Sequence, residues 1–415
     1  MPPMSTRSAA LAQSLSYVLA GALLAAIPFR LTVDWRGGVL ALLVLILVAL
    51  AARGGTFRAF VPDSRALVAA ALFWLCVAFI SAIAGPNPFE GLRSVRSDVL
   101  GPILAFCAFF CLTRDRDDLF RWALVCAVTQ IALTTLMVMD PYRPDPAHRP
   151  AYVDAGVASC WLVICAVWFP VLWNAPSRHL RWARPLALIH LCTVFAASLA
   201  SYNRLVWICY AVMVAAGTVA WIRIRNALVT PTLQWRIAAG AAGTIVLLVA
   251  MAWYATGTRA PSYNAVNDGS PRYVLQDPRL WIWPAGVKMA AEKPLTGYGF
   301  GTEHWRDEFT RRNGTEHTNP RINHAHNTIL NNTLQMGVAG GIAVLFLFGA
   351  LLGVFVARND GGVWTVAAAA GAAMVAGFFV RNLTDDYFLR QPLMLFGAVA
   401  GAFAGAMRAP PDGGA

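Results

Sequence analysis

The sequence is poor in charged residues. Only 13% of its 415 residues are Asp, Glu, Lys or Arg, whereas 58% are hydrophobic and the mean hydropathy is positive. A soluble domain carries roughly twice that charged fraction. A chain with so little polar side-chain material cannot cover a large water-exposed surface. The composition therefore excludes an ordinary soluble protein and indicates a membrane protein.

Cysteine patterns that bind metals or form disulfides are also missing. All eight cysteines fall inside apolar stretches, and no Cys-x-x-Cys pair occurs. This pattern argues against thiolate metal sites and structural disulfides. We interpret the cysteines as small apolar packing groups. They are Cys76, Cys107, Cys111, Cys126, Cys160, Cys165, Cys192 and Cys209.

Long hydrophobic runs dominate the chain instead. Stretches of about 17–25 residues, the length that crosses a bilayer core as helix, recur along nearly all of it. The first run lacks a signal-peptide cleavage pattern, so we interpret it as a retained span. We predict an all-α polytopic membrane protein with about twelve transmembrane helices. Their expected limits are 9–29, 37–52, 65–84, 98–113, 119–139, 154–173, 185–200, 205–221, 237–255, 335–357, 362–380 and 391–408.

Arginines indicate the orientation of these spans. With a cytoplasmic N-terminus, the short loops 53–65, 114–121, 178–184 and 223–236 would be cytoplasmic, and each carries three arginines. The opposite short loops carry two or fewer each, which is the positive-inside bias. We therefore expect both termini in the cytoplasm. The net charge of +12 is spread over these loops, so membrane topology and an anionic lipid-linked substrate explain it better than nucleic acid does.

The spans divide the chain into three predicted regions. Residues 1–255 hold the first nine spans, and 335–415 hold the last three with a short cytoplasmic tail. Residues 256–334 form one large outward-facing loop, where prolines and glycines predict short helices separated by turns. Leu280–Ala291 is the clearest of these predicted helices.

Two arginines stand where an anion could be bound. Arg204 lies at the outer junction of the seventh and eighth spans, where a bare guanidinium near hydrocarbon costs at least a few kcal/mol. The guanidinium group therefore needs to extend to the membrane–water interface, to have a polar partner, or to lie in an aqueous cavity. Arg279 begins the predicted loop helix, where it is either solvated, paired with Asp277, or functional. Together the two arginines suggest a site for a diphosphate, which guanidinium groups bind in bidentate fashion.

Histidines cluster in the distal half of the large loop. Four of the seven are His304, His317, His324 and His326. A metal site is a weak alternative, because His-x-His supplies two ligands and the loop has no cysteine. A histidine that caps the tenth helix is the structural alternative. A general base is more plausible, because a neutral imidazole accepts a proton from a hydroxyl near neutral pH.

A third polar cluster lies between the last two spans, from Arg381 to Tyr387. The adjacent acids Asp385 and Asp386 are flanked by Arg381 and Arg390. They form either a local salt-bridge network or a site in which one acid orients a catalytic imidazole or binds an acceptor hydroxyl. The sequence leaves these possibilities open.

The order and spacing of these motifs resemble a known family. His326-Asn327 is followed by nine residues and then Gly337, with Gly340 three residues further on. Upstream, Arg279 precedes a helix and the Pro-x-x-Gly-x-Gly turn 294–299, and Arg204 follows Ser201 at a span junction. Over roughly residues 190–400 the chain resembles the bacterial O-antigen ligases and their relatives, the O-antigen polymerases and protein O-oligosaccharyltransferases.

The resemblance implies an outward-facing glycosyltransferase of GT-C-like helical architecture in the bacterial inner membrane. Its donor would be a glycan on undecaprenyl diphosphate and its acceptor lipid A-core, without metal, nucleotide or nucleic acid, and we expect a monomer among membrane lipids. His326 would be the general base, and Arg204 and Arg279 would stabilise the diphosphate. Substrate-binding roles are expected for a second set of residues. These are Asp386, Asp385, Asn327 and Arg381.

Alternative functions differ in what the sequence should contain. A polymerase often has two large outward loops, and the protein-glycosylating relatives are usually longer, so both are less favoured than a ligase. A transporter of lipid-linked glycans places ionisable groups within its spans. This chain has almost none there, which disfavours transport.

Overall fold

The computed structural model describes residues 6–54, 57–140, 151–152, 155–201, 203–225, 230–257, 279–313, 324–357 and 365–408. Within these ranges the fold is helical, and strand-type pairing is limited to one isolated bridge between Phe29 and Tyr152. Eleven helical segments are long and apolar enough to cross a membrane. The prediction of an all-α polytopic membrane protein is confirmed.

Seventeen α-helices occur in the described ranges. They are α1 Thr6–Ala26, α2 Arg36–Gly54, α3 Arg65–Ala84, α4 Pro88–Val95, α5 Gly101–Leu112, α6 Arg116–Met139, α7 Ala155–Cys165, α8 Trp168–Trp173, α9 Leu180–Ala200, α10 Arg204–Arg225, α11 Pro231–Gly257, α12 Arg279–Glu292, α13 Thr302–Asn313, α14 Thr328–Met336, α15 Val338–Val356, α16 Thr365–Leu383 and α17 Arg390–Ala406.

The last predicted span is shorter than expected. In place of 391–408 the structure has α17, whose 17 residues extend about 26 Å, slightly less than the hydrocarbon core of about 30 Å. This short helix accounts for the difference between the twelve spans that we predicted and the eleven helical segments that are long enough to cross a membrane. Almost all of α17 is buried by neighbouring helices, so protein contacts rather than lipid surround most of it.

Close packing of α17 on α5 depends on three glycines at a spacing of four residues. Gly397, Gly401 and Gly405 all lie against backbone carbonyls of α5 or of the turn that follows it. A Cβ atom added to Gly397 would lie 2.5 Å from the carbonyl oxygen of Pro102. Small residues at this spacing allow two membrane helices to approach closely. The glycines therefore fix the position of α17, and of the turn before it, relative to α5.

The tenth predicted span is divided at a glycine. Residues 335–336 end α14, and α15 begins at Val338. Gly337 between them has φ +69°, a left-handed conformation that glycine adopts at little cost. The expected single span 335–357 was therefore wrong at its start, because an apolar run does not reveal a change of helix direction within it.

The short helices α12, α13 and α14 share a small hydrophobic core of their own, which includes Ile282, Trp305 and Phe309. The predicted helix Leu280–Ala291 is confirmed as α12. The turn after α12 pairs with the end of α14: Tyr298 donates its N–H to the carbonyl of Leu334 (2.8 Å), and Gly299 donates to that of Gln335 (3.1 Å). This pairing fixes the position of α14, whose first residues lie in the candidate site.

Substitution of Gly337 tests this arrangement. A Cβ at Gly337 would lie 2.5 Å from the carbonyl oxygen of Pro294, and its φ would also be strained. We expect Gly337→Ala to lower the free energy of unfolding by about 3 kcal/mol, measured as a lower thermal midpoint of the purified protein. Gly349→Ala is the matched control, because Gly349 lies in α15 with no atom within 4 Å of the added methyl group. Equal midpoints for the two variants would contradict the prediction.

Candidate active site

His326 lies at the turn that leads into α14. Its φ is +52°, which is uncommon for a residue with a side chain and costs of order 1–2 kcal/mol. The next residue, Asn327, is the N-cap of α14: its side-chain oxygen accepts from the N–H of Leu330 at 3.0 Å, and its amide donates to the carbonyl of Leu383 at 2.9 Å. The structural alternative, in which a histidine is the cap, does not hold for α14, because Asn327 supplies its cap and also joins α14 to the end of α16.

The imidazole of His326 contacts Asp385. Nδ1 of His326 lies 3.0 Å from Oδ1 of Asp385. Nε2 of His326 has no hydrogen-bond partner within the described ranges. Since a carboxylate only accepts, Nδ1 donates, and in the neutral ring the lone pair is then on Nε2. The geometry therefore matches a base that is held by one nitrogen and presents the other.

Asp385 is held in turn by Arg381, which is 1% exposed. Nη1 of Arg381 lies 3.3 Å from Oδ2 of Asp385, and Nη2 donates to the hydroxyl of Ser159 at 2.9 Å. The ring of Tyr387 lies 4.7 Å from the guanidinium carbon. A buried guanidinium needs such partners to offset its desolvation. A salt bridge, one of the two possibilities that the sequence left open for this cluster, is therefore present between Arg381 and Asp385, and it forms one side of the site.

The surroundings keep Asp385 ionised. Burial alone raises the pKa of its carboxyl group, but the hydrogen bond from His326 and the positive charge of Arg381 outweigh burial, and the pKa falls below its usual range. At neutral pH the carboxylate can orient the imidazole of His326 and stabilise a positive charge that develops on it.

Asp386 points to different partners. Its carboxylate accepts hydrogen bonds from the side-chain amide of Asn331, from Thr328, and from the N–H of Phe388 at 3.1 Å. Burial raises the pKa of Asp386 to about 7. The two adjacent acids, which the sequence could not distinguish, therefore differ: Asp385 contacts His326, while Asp386 joins the turn to α14.

The raised pKa of Asp386 predicts a pH dependence of stability. Between pH 3.8, the ordinary pKa of an aspartate, and pH 7, close to the raised pKa of Asp386, the folded state holds this proton more tightly than the unfolded state does. The contribution of Asp386 to stability therefore falls as the pH rises and is lost above about pH 7. We expect the thermal midpoint of the native protein, relative to Asp386→Asn, to decrease by a few degrees from pH 5 to 8. A constant difference between the two proteins would contradict it. Any contribution common to both proteins cancels in this difference.

His324 completes the group of side chains around Asp385. Its Nε2 lies 3.5 Å from Oδ1 of Asp385, and its Nδ1 accepts from the backbone N–H of His326 at 3.3 Å. Burial lowers the pKa of His324 to about 4, so the ring is neutral at pH 7. Both of its nitrogens face protein atoms, which makes it a poorer base than His326.

His324, His326 and Asp385 are also close enough to hold a metal ion, since their ligand atoms all lie within 4.8 Å of one another. Two features fit hydrogen bonding better. Nδ1 of His324 accepts from a backbone N–H, so the proton of the neutral ring is on Nε2, which faces Asp385. The guanidinium of Arg381 already compensates the carboxylate.

Arg279 and Arg204 differ in how closely they join the site. Nε of Arg279 donates to the carbonyl of Thr384 at 2.7 Å, directly beside Asp385. Arg204 is exposed at the start of α10, and no contact with His326 or Asp385 is found among the described residues. Asp277, which the sequence offered as an ion-pair partner for Arg279, lies outside the described residues, as does His317.

The packing of α10 shows which end of the bundle Arg204 occupies. Gly217 lies against Ala373 and Gly377 lies against Met213, so α10 and α16 run antiparallel. The start of α10 is therefore at the end of α16, where Arg381 and Asp385 lie. Arg204 shares this end of the bundle with the other candidate residues without touching them.

The remaining predicted polar residues lie apart from His326. His304 is in α13, near Gly299 and Gly301. Arg390 interacts with Asp98 rather than with Asp385, so only one of the two flanking arginines belongs to the salt-bridge network. Ser159 and Asn331 were missed by the sequence analysis, because a serine or asparagine in an apolar helix carries no motif that marks it.

These features define a polytopic membrane protein in which a buried Arg381 and the partly buried Asp385 and His326 form a chain of contacts where the short helices meet one end of the bundle. Residues 188–345 match the family model described as O-antigen ligase. The match supports the O-antigen ligase superfamily and agrees, over these residues, with the resemblance found in the sequence. It includes Arg204, Arg279 and His326, while Arg381 and Asp385 lie beyond it. No curated protein matches the chain.

Proposed function

We propose that the protein is an O-antigen ligase that transfers a glycan en bloc from undecaprenyl diphosphate to a sugar hydroxyl of lipid A-core. The observation that carries the proposal is the contact between His326 and Asp385, in a chain whose family match supports ligase- or polymerase-type function in general. The site would face the periplasm from the bacterial inner membrane, with both termini in the cytoplasm and the helices in a GT-C-like arrangement. The loop arginine pattern supports this orientation.

In the proposed reaction His326 is the general base. Its Nε2 accepts the proton of the acceptor hydroxyl while that oxygen forms a bond to the anomeric carbon of the donor. The bond from this carbon to the diphosphate breaks, and undecaprenyl diphosphate leaves with the electron pair. Displacement from the opposite face inverts the anomeric configuration. Asp385 stabilises the imidazolium that forms, because its carboxylate is ionised and 3.0 Å from Nδ1.

Arg279 and Arg204 are the proposed diphosphate ligands. The leaving oxygen gains negative charge as the bond breaks, and fixed guanidinium groups stabilise that charge most where water is excluded. Arg279 is anchored beside Asp385 through Thr384, which supports a position close to the reacting atoms. Arg204, exposed at the same end of the bundle, would contact the outer part of the diphosphate. A lipid diphosphate is already a good leaving group, so the proposal requires no metal or nucleotide.

Asn327 and Asp386 have a supporting role in this scheme. Asn327 fixes α14 to the end of α16, and Asp386 holds the same helix through Asn331 and Thr328. Both residues were expected to bind substrate. Their contacts with the protein favour a role in holding His326 and Asp385 at the correct separation. A monomer contains the whole proposed site.

Analysis of lipopolysaccharide from a deletion strain tests the proposed function. Loss of a ligase leaves lipid A-core without polymer, while polymeric glycan accumulates on the lipid carrier. Loss of a polymerase instead leaves core capped with a single repeat unit, and loss of a protein-glycosylating enzyme leaves the lipopolysaccharide unchanged. Complementation with the native gene should restore the polymer on the core. Either of the other two patterns would overturn the assignment as a ligase.

A further inference from the structure

A short-range hydrogen bond joins the backbone of His326 to the side chain of His324. The backbone N–H of His326 donates to Nδ1 of His324, two residues earlier, at 3.3 Å. This is the pattern of an Asx turn, in which a side-chain acceptor binds the N–H two residues further on. Here an imidazole nitrogen takes the place of the amide or carboxylate oxygen.

Such a contact matters because His326 is in the left-handed region, with φ +52°. A residue with a Cβ rarely keeps this conformation unless its surroundings stabilise it. In this turn the ring of His326 contacts Asp385, while the next residue, Asn327, caps α14. If the turn relaxed to an ordinary conformation, the ring would leave Asp385 even though α14 stayed in place.

The ring of His324 is itself held on two sides. Its centroid lies 4.3 Å from that of His326 and 5.9 Å from that of Tyr387. Because Nδ1 accepts, the proton of the neutral ring lies on Nε2, which faces Oδ1 of Asp385 at 3.5 Å. One side chain therefore contacts both the backbone of His326 and the carboxylate that orients its ring.

We propose that His324 is a positioning residue: its Nδ1 is the acceptor of an Asx-like turn that holds His326 in the left-handed conformation needed to meet Asp385. This inference rests on the proposed role of His326 as the general base. It assigns His324 no contact with substrate and no proton transfer. The chemical requirement at position 324 is an acceptor at the distance of Nδ1, which asparagine also provides and glutamine does not.

Two amide variants separate this role from a general packing role. Oδ1 of asparagine occupies the place of Nδ1, whereas the amide of glutamine is one methylene further from the backbone. In proteoliposomes with lipid-linked glycan and lipid A-core, we expect His324→Asn to keep kcat within about twofold of the native value. We expect His324→Gln to lower kcat by about tenfold with KM unchanged, the equivalent of one lost hydrogen bond.

A double variant tests whether His324 acts through the His326–Asp385 contact. Once Asp385→Asn has removed the carboxylate, a turn that holds His326 against it contributes less to the rate. Adding His324→Gln to Asp385→Asn should then cost no more than about twofold. Thermal midpoints of all variants identify any loss that is due to unfolding. Equal losses for His324→Asn and His324→Gln, or a fully additive double variant, would overturn the proposal.

A measurement that does not depend on activity examines the same claim. In 15N-histidine-labelled protein, His324 should show an unprotonated Nδ1 and a protonated Nε2 at pH 7, with its signals assigned by their loss in His324→Asn. A protonated Nδ1 would overturn the proposal even in active protein.

If the native protein fails to transfer glycan to lipid A-core but the expected tautomer is found, the proposed function fails while the proposed turn is still supported. A shift of both His324 and His326 signals on addition of Zn²⁺, with a gain in activity, would instead identify a metal site.

Discussion

His326→Ala is expected to abolish glycan transfer while leaving a folded protein in the membrane. The substitution removes Nε2, the nitrogen that has no partner among the described residues and would accept the hydroxyl proton. A positioned general base contributes about a hundred- to ten-thousandfold to a rate. We expect a loss of about a thousandfold in kcat, measured as transfer of lipid-linked glycan to lipid A-core in proteoliposomes.

The fold should survive this change because the rest of the chain of contacts remains. The ion pair between Arg381 and Asp385 does not involve His326, and Asn327 still caps α14. His304→Ala is the matched control, since His304 lies among the same short helices but has no contact with Asp385. Normal transfer by His326→Ala, or an equal loss in both variants, would remove His326 from the mechanism.

Asp385→Asn is expected to have the second large effect, and it should change both activity and stability. The amide cannot stabilise the imidazolium as the carboxylate does, so we expect kcat to fall by about a hundredfold or more. The change also leaves the buried guanidinium of Arg381 without its counter-charge. Breaking one partner of a buried ion pair costs about 3–5 kcal/mol, which should appear as a lower thermal midpoint.

A second substitution separates these two effects. In Asp385→Asn combined with Arg381→Met, the uncompensated charge is gone, and much of the lost stability should return. Activity should remain low, because the carboxylate is still absent. Recovery of both properties would mean that Asp385 serves only to neutralise Arg381.

The neighbouring acid provides a comparison that the sequence could not make. Asp386 faces Asn331 and Thr328, and its pKa of about 7 means that it is often uncharged at neutral pH. Asp386→Asn should therefore cost at most about tenfold in transfer, far less than Asp385→Asn. The reverse order of losses would make Asp386 the acid that acts on His326.

The sequence by itself determined the class of protein and most of its helices. Apolar runs of membrane-crossing length are local features, so α1, α2 and α12 lie close to where hydropathy and turn residues placed them. Arg204, Arg279 and His326, which were selected by their spacing along the chain, also lie within residues 188–345 that match the family model. Hydropathy averages over a window, however, and it therefore missed the break at Gly337.

Only the tertiary structure decided which side chains form the site. Asp385 meets His326 across 59 residues of sequence, and Ser159 meets Arg381 across 222. Adjacent residues in an irregular turn point in different directions, so Asp385 and Asp386 could not be ranked without the backbone path between α16 and α17. The left-handed conformation of His326 likewise comes from its contacts with His324, Asp385 and the capped start of α14. Composition and spacing determine that a basic, histidine-containing region exists, whereas helix packing determines which carboxylate its histidines contact and which ring nitrogen stays unpaired among the described residues.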